Sequence, residues 1–166
     1  MTAEYEISPA TLGDIPGILM LQEENLPEHG GSLSHRQSSD WFKHAINQKS
    51  LVVCRRLGGK IVGYILGTSF AEKAHVPIVK AMLLTFPPPP NSYLYGPVCV
   101  AETERGKGLA VAMFKELQTQ MQDRPAMTFV RADNETSVRV HRKMGLRNLG
   151  TFTNDDVSYI AFLYSP

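Results

Sequence analysis

Cysteine is scarce in this chain, with two in 166 residues, Cys54 and Cys99. Both lie in strand-like runs, without C-x-x-C spacing and without histidines clustered nearby, which excludes a disulfide framework and a structural zinc site; buried free thiols in a reducing compartment are expected. Charge of one sign is equally lacking. Seventeen Lys and Arg stand against sixteen Asp and Glu, for a formal net charge of +1. No block of like charges forms a nucleic-acid tail or a basic membrane helix, and an adjacent pair such as Arg55-Arg56 is too little for a phosphate-backbone footprint. No apolar run approaches the ~20 residues that span a bilayer. The acidic start Met1-Thr2-Ala3-Glu4-Tyr5-Glu6 does not read as a signal peptide. These absences point to a single cytoplasmic domain over residues 1–166, without nucleic-acid or membrane partners.

What is present is a 43% hydrophobic chain whose periodicity alternates between strand and helix. Ile7 to Pro9 reads as a first strand. Asp14 with Pro16 behind it reads as a helix start, followed by Ile15, Ile18, Leu19 and Gln22 at helical spacing. Leu26 to Ser34 reads as a loop, and Ser39 to Gln48 as a second helix with Trp41/Ala45 and Phe42/Ile46 as i,i+4 pairs. Leu51–Cys54 and Ile61–Leu66 form an antiparallel hairpin across Gly58-Gly59, which supply the positive φ of a tight turn. Ala71 to Asn91 is an insert with a short helix at Val76–Leu84 and an extended proline run at Pro87–Pro90. It either covers a groove or packs as a surface loop. A strand from Tyr93 to about Ala101, a helix from about Gly108 to Gln122, a strand at Met127–Ala132 and a helix at Glu135–Met144 ended by Gly145 come next. A hairpin of Leu149–Phe152 and Val157–Tyr164 across Asn154-Asp155-Asp156 closes the chain. The order predicts an α/β fold with one mixed, mostly antiparallel sheet flanked by helices.

The most telling stretch is Arg105-Gly106-Lys107-Gly108-Leu109-Ala110. It follows the apolar run Tyr93 to Val100 and precedes a helix whose Leu109, Met113, Leu117 and Met121 recur every fourth residue. A strand, a glycine turn and a helix start make an anion site: the first helical N–H groups lack intrahelical partners, and the peptide dipoles favour negative charge there. Gly106 and Gly108 remove side chains that would hold a phosphate off the backbone, while Arg105 and Lys107 bring positive charge. The P-loop pattern G-x-x-x-x-G-K-[ST] is absent. A dinucleotide fingerprint fails as well: its third position falls on Val111, and the chain after Asp133, where a ribose-binding acid would sit, is too short for the rest of a doubly wound sheet.

A second cluster begins at the end of the following strand. Asn134-Glu-Thr-Ser137-Val-Arg-Val-His141-Arg-Lys143-Met-Gly145-Leu146 reads N-x-x-S-x-x-x-H-x-K-x-G-L. With the R-G-x-G-x-A turn at Arg105–Ala110, this resembles the GNAT acetyltransferase superfamily, whose signatures are an apolar strand followed by [QR]-x-x-G-x-[GA] and a later N-x-x-A-x-x-x-Y-x-K-x-G-F. The resemblance spans Val98 to Leu146 in motif detail and nearly the whole chain in element order. It implies the acyl-CoA N-acyltransferase fold and an acetyl-CoA-dependent N-acetyltransferase in which a primary amine attacks the thioester directly in a ternary complex. Backbone of Val98 and Val100 would bond the pantetheine arm. The turn Arg105, Gly106, Lys107, Gly108, Leu109 and Ala110 would hold the pyrophosphate, with Asn134 and Lys143 completing the cofactor site and no metal required.

Asn134 serves equally as a helix cap, and the two roles are compatible. The family's tyrosine acid is replaced by His141, which would have to act as imidazolium; the other reading is a histidine that packs or bonds a carbonyl. Glu102 is the candidate base. Both Glu102 and Glu104 also suit a solvated loop ahead of a helix. Acid on the first inter-helix segment (Glu23, Glu24, Glu28) and on the last hairpin (Asp155, Asp156) would suit a cationic amine, either a small molecule or a peptide, and each carboxylate is also explained as solvated charge. The alternatives are a non-catalytic acyl-CoA-binding module and an enzyme acting on a protein N-terminus or another macromolecule. Exposed strand edges allow a homodimer.

Overall fold

A computed structural model of the chain describes residues 4–30, 33 and 36–166. Met1 to Ala3 of the acidic start, and Gly31, Ser32 and Ser34 of the loop expected from Leu26, lie outside the described residues, as does His35. The strands are β1 (Tyr5–Pro9), β2 (Leu51–Arg56), β3 (Ile61–Thr68), β4 (Tyr93–Val100), β5 (Ala126–Arg131), β6 (Arg147–Asn154) and β7 (Val157–Tyr164). The helices are α1 (Ile15–Glu24), α2 (Ser39–Asn47), α3 (Phe70–Lys73), α4 (Pro77–Thr85), α5 (Leu109–Gln120) and α6 (Glu135–Lys143). One seven-stranded sheet runs in the order β1-β2-β3-β4-β5-β7-β6. The β4–β5 pair is parallel; β1–β2, β2–β3, β5–β7 and β6–β7 are antiparallel. This is the mixed, mostly antiparallel α/β sheet expected from the sequence.

The chain divides into two compact units, Met1–Gly67 with Gly96–Gln122, and Thr68–Tyr95 with Asp123–Pro166. In the first, β2 and β3 are buried almost throughout because helices cover both of their faces, which is why they read as unbroken apolar runs. Successive strand residues point to opposite faces. Tyr64 meets Phe42 of α2 edge-on at 5.6 Å, while a Cβ on Gly63 would stand 2.9 Å from Met113 Cε of α5. Close approach of helix to strand therefore requires glycine at position 63. Asp14 occupies the cap position of α1 without a side-chain capping bond. Its carboxylate instead receives the Thr11 N–H at 2.8 Å and the guanidinium of Arg55, tying the helix start to β2.

The second unit corrects the reading of the insert. Pro77 opens α4 at its first turn, and Val79 and Met82 join Leu94, Met127, Phe152, Ala161 and Leu163 in one hydrophobic cluster. The helix is thus part of a core, because its apolar face finds the exposed side of β4, β5, β7 and β6; it is not a surface loop. Gly150, with φ of 132° at a register shift in β6, leaves room for Phe86 at the end of this segment, which a Cβ would approach to 3.0 Å. The turn Asp155-Asp156 takes left-handed φ at both residues, 51° and 61°, the requirement of a tight two-residue hairpin. Gly145 (φ 88°) ends α6 as expected. Its N–H donates to Arg142 O at 3.0 Å and the Leu146 N–H to His141 O at 3.1 Å, the paired bonds of a Schellman cap.

Candidate active site

In the first unit, the end of β4 and the start of α5 build the glycine turn. Leu109, Met113, Phe114 and Leu117 are buried and fix α5 by its apolar face; Met121 falls just past its last residue. Gly106 and Gly108 adopt left-handed φ of 79° and 78°, a region that L side chains disfavour. A Cβ built on either would meet nothing within 4 Å. The two missing side chains therefore open onto free space in front of N–H groups that begin α5, where the earliest helical bond runs from Ala112 N–H to Gly108 O at 3.1 Å. Backbone N–H groups at a helix start, with no side chain from either glycine in front of them, can receive an anion.

The side chains of the turn hold it in place. Arg105 donates from Nη2 to Asn25 Oδ1 at 2.7 Å and from Nε to Val100 O at 3.2 Å, and Asn25 is itself anchored on Leu21 O at 2.9 Å. Lys107 Nζ donates to Glu104 Oε2 at 3.0 Å and to the Tyr5 hydroxyl at 3.1 Å. Glu104 is 2% exposed, unlike the solvated loop residue that the sequence suggests. Its carboxylate also accepts from the Tyr5 hydroxyl and, at 3.0 Å, from Arg56 Nη1. The Tyr5 hydroxyl, then Lys107, hold the carboxyl below its ordinary pKa. Tyr5 and Arg56 face each other across β1 and β2, so a strand pair grips the turn. Sequence reasoning missed Tyr5, Arg56 and Asn25; the only local signal is the i,i+3 spacing of Glu104 and Lys107. Glu102 is exposed, as are Val98 and Val100 in part, while Cys99 between them is buried. Burial pushes the thiols of Cys54 and Cys99 up to about 11 and about 12, so neither is available as a thiolate at neutral pH.

In the second unit, β4 and β5 pair only at Tyr93–Ala126 and Leu94–Met127. At the far end of β5, both carboxylate oxygens of Asp133 are taken by Arg131 at 3.1 Å. Asn134 caps α6, its Oδ1 accepting the Ser137 N–H at 3.1 Å. One turn on, His141 is 3% exposed and lies between two rings, Tyr95 at 5.6 Å and Phe162 at 5.4 Å, nearly parallel to both. Its Nδ1 stands 2.7 Å from Ser137 O. A carbonyl only accepts, so Nδ1 carries the proton and the neutral ring keeps its lone pair on Nε2. Burial lowers the His141 pKa, and the bond to Ser137 opposes this only in part. Lys143, two residues on, is exposed.

The acidic flanks differ from each other. Glu23 and Glu28 share the one cation Arg36, at 2.5 Å and 3.1 Å, so this segment keeps a net negative charge. Glu24, Asp155 and Asp156 are exposed. Among the described residues, no group of three or more His, Cys, Asp or Glu is arranged to hold a metal, and no helix is long and apolar enough to cross a membrane.

A sequence profile for the acetyltransferase (GNAT) family matches residues 18–146, and the chain belongs to that family. No curated protein matches the chain significantly. Solved structures resemble it in fold. An N-acetyltransferase from Staphylococcus aureus Mu50 is 18% identical, with 98% of this chain and 99% of that chain covered at a TM-score of 0.70. The yncA protein of Salmonella typhimurium, solved with its cofactor acetyl-CoA, is 12% identical over 98% and 94%, at 0.72. A phosphinothricin acetyltransferase of Sinorhizobium meliloti in complex with acetyl-CoA is 15% identical over 97% and 88%, at 0.71.

Proposed function

We propose that this chain, acting as one catalytic domain, transfers the acetyl group of acetyl-CoA to a primary amine. The observation that carries the reading is the open cradle at Gly106 and Gly108, lying in a chain whose family and fold are those of acetyltransferases. N–H groups from Gly106 to Ala110 hold the pyrophosphate, Arg105 and Lys107 lend positive charge, and the β4 backbone at Val98 and Val100 bonds the pantetheine arm as an added strand. Asn134 meets the pantetheine through its amide nitrogen while its oxygen stays on the α6 cap, and Lys143, at the opposite end of α6, lends charge to the cofactor. When bound, the thioester supplies an activated acetyl group with a good leaving thiolate.

The amine must present a lone pair, and we assign Glu102, an exposed carboxylate just past the end of β4, as the base that takes its proton. The nitrogen loses one proton and the departing sulfur gains one. Direct attack is favoured over a covalent relay because both cysteines are held as thiols. His141 serves as proton donor only as imidazolium, through Nε2, since the single N–H of its neutral form is spent on Ser137. Activity that depends on it falls as pH rises through a pKa below 6.5. A flat rate from about pH 6 to 8 assigns His141 to packing instead. The same burial favours a second reading, an acyl-CoA-binding module that performs no transfer.

The acceptor is a cationic amine, a small molecule or a peptide N-terminus, for which exposed carboxylates are present in each unit, Glu24 in the first and Asp155 and Asp156 in the second. A near-neutral chain of net charge +1 gives no stripe for nucleic acid. Free thiols suit a cytoplasmic setting, and the edge strands β1 and β6 suit a homodimer. Calorimetric titration with acetyl-CoA and with NAD, followed by thiol release over a panel of amines, tests the proposal. Acetyl-CoA binding with turnover of an amine supports it. Acetyl-CoA binding without turnover of any amine selects the binding module, and NAD binding alone overturns both.

A further inference from the structure

We propose that Glu104 is a positioning residue of the anion turn, and that Lys107 acts through Glu104 to fix the backbone cradle rather than by pairing with the bound diphosphate. The inference rests on the reading of the turn as the pyrophosphate site. A carboxylate beside a phosphate-binding loop is costly unless it does something else there, because like charges repel. Here the carboxylate is almost wholly inaccessible, and its two oxygens are divided between separate parts of the fold. Oε1 takes Arg56 at 3.0 Å, Oε2 takes Lys107 at 3.0 Å, and the Tyr5 hydroxyl joins them. The hydroxyl closes the circuit by accepting from Lys107 at 3.1 Å. The ammonium stands 5.9 Å from the centre of the Tyr5 ring, at its hydroxyl end.

The consequence lies on the backbone. Lys107 is the residue between the two left-handed glycines. A flexible Gly-x-Gly segment samples many conformations, and ordering it on binding would weaken affinity. Tethering the central side chain to a buried carboxylate removes that freedom beforehand, leaving the N–H groups aimed at the cradle. Arg105 does the same one residue earlier through Asn25 and Val100.

Charge and position predict opposite signs. Removing the negative charge in Glu104→Gln while keeping the shape frees Lys107 and raises the local potential, so charge alone tightens acetyl-CoA binding, most at low salt. Loss of positioning weakens it. Calorimetric titration of the full chain with acetyl-CoA is expected to show about tenfold weaker binding for Glu104→Gln, the scale of a lost charge-assisted hydrogen bond. The KM for acetyl-CoA should rise with kcat at saturation little changed. The double variant Glu104→Gln/Lys107→Gln should be no weaker than the worse single variant, as for two residues in one device. Tyr5→Phe keeps the ring and both charges, and should lose about threefold. Tighter or unchanged binding in Glu104→Gln, or fully additive losses in the double variant, overturns the positioning role while wild-type binding keeps the site. If the wild type does not bind acetyl-CoA, the site reading fails separately. Amide exchange in the ligand-free protein then decides the positioning: faster exchange at Gly106 to Leu109 in Glu104→Gln upholds it, and unchanged exchange overturns it.

Discussion

The glycine turn of the first unit and the start of α6 in the second carry the two halves of the family signature, yet they are built on opposite plans. At the turn, the surface proposed to bind the cofactor is backbone. A Cβ on either of its glycines would meet nothing within 4 Å, and its charged side chains are committed to Asn25, Glu104 and Tyr5. At α6 the candidate groups are side chains, and the most conspicuous of them, His141, is sealed between Tyr95 and Phe162. The contrast shows that a signature residue can act by what it leaves open or by what it fills, and letters alone do not say which.

Substitutions should break this comparison unequally. The largest effect is expected for Gly108→Trp, which fills the cradle and should abolish measurable acetyl-CoA binding, a loss of about a hundredfold or more. The fold should survive, since a Cβ at this position meets nothing within 4 Å and the main cost is the strain of left-handed φ, about 1–2 kcal/mol. Calorimetry with a parallel thermal melt separates the two. At α6 the ranking should invert. His141→Ala removes the filling of an aromatic sandwich and should cost about 2–4 kcal/mol of stability by denaturant unfolding. His141→Phe, which keeps the stack and loses only the bond to Ser137, should cost about 1 kcal/mol.

Asn134 sharpens the comparison further, because its two roles use different atoms. Asn134→Asp retains the capping oxygen and loses the amide donor, so it should melt like the wild type while weakening acetyl-CoA binding severalfold. Asn134→Ala should also lose about 1 kcal/mol of stability from the uncapped helix. A smaller effect is expected from pH. The folded state disfavours a proton on His141, whereas the unfolded chain accepts one near pH 6.5. Between the depressed folded pKa and that value the unfolded chain binds more protons, so stability should fall as pH drops below about 6.5 and be level above it; His141→Phe should remove the slope. Smallest of all, Arg36→Gln should leave the melting temperature unchanged, because its pairs with Glu23 and Glu28 are exposed. Any gain in affinity for cationic amines would place those carboxylates at the acceptor.

Much of the fold was legible because its determinants are local. Gly58-Gly59 marked the β2–β3 hairpin, Gly145 the end of α6, and the spacing of Leu109, Met113 and Leu117 the buried face of α5. Boundaries shifted by a few residues where tertiary pairing extended a strand: β6 begins at Arg147 rather than Leu149, because Arg147 pairs with Leu163. The insert was harder to read. Val76 to Leu84 announced a helix, but nothing in that stretch says that Met82 will be wholly buried against residues from four strands.

The family, the glycine turn and the residues at each signature position were readable from sequence, since these depend on neighbours within a few places along the chain. Only the tertiary structure shows what surrounds those residues. Glu104 looked like a solvated acid until folding placed Tyr5, 99 positions away in sequence, against its carboxylate. His141 looked equally suited to catalysis or packing until Tyr95 and Phe162 closed over its faces and dehydrated it. Burial and long-range hydrogen bonding set protonation and mobility, and both are properties of the packed chain that no local pattern encodes.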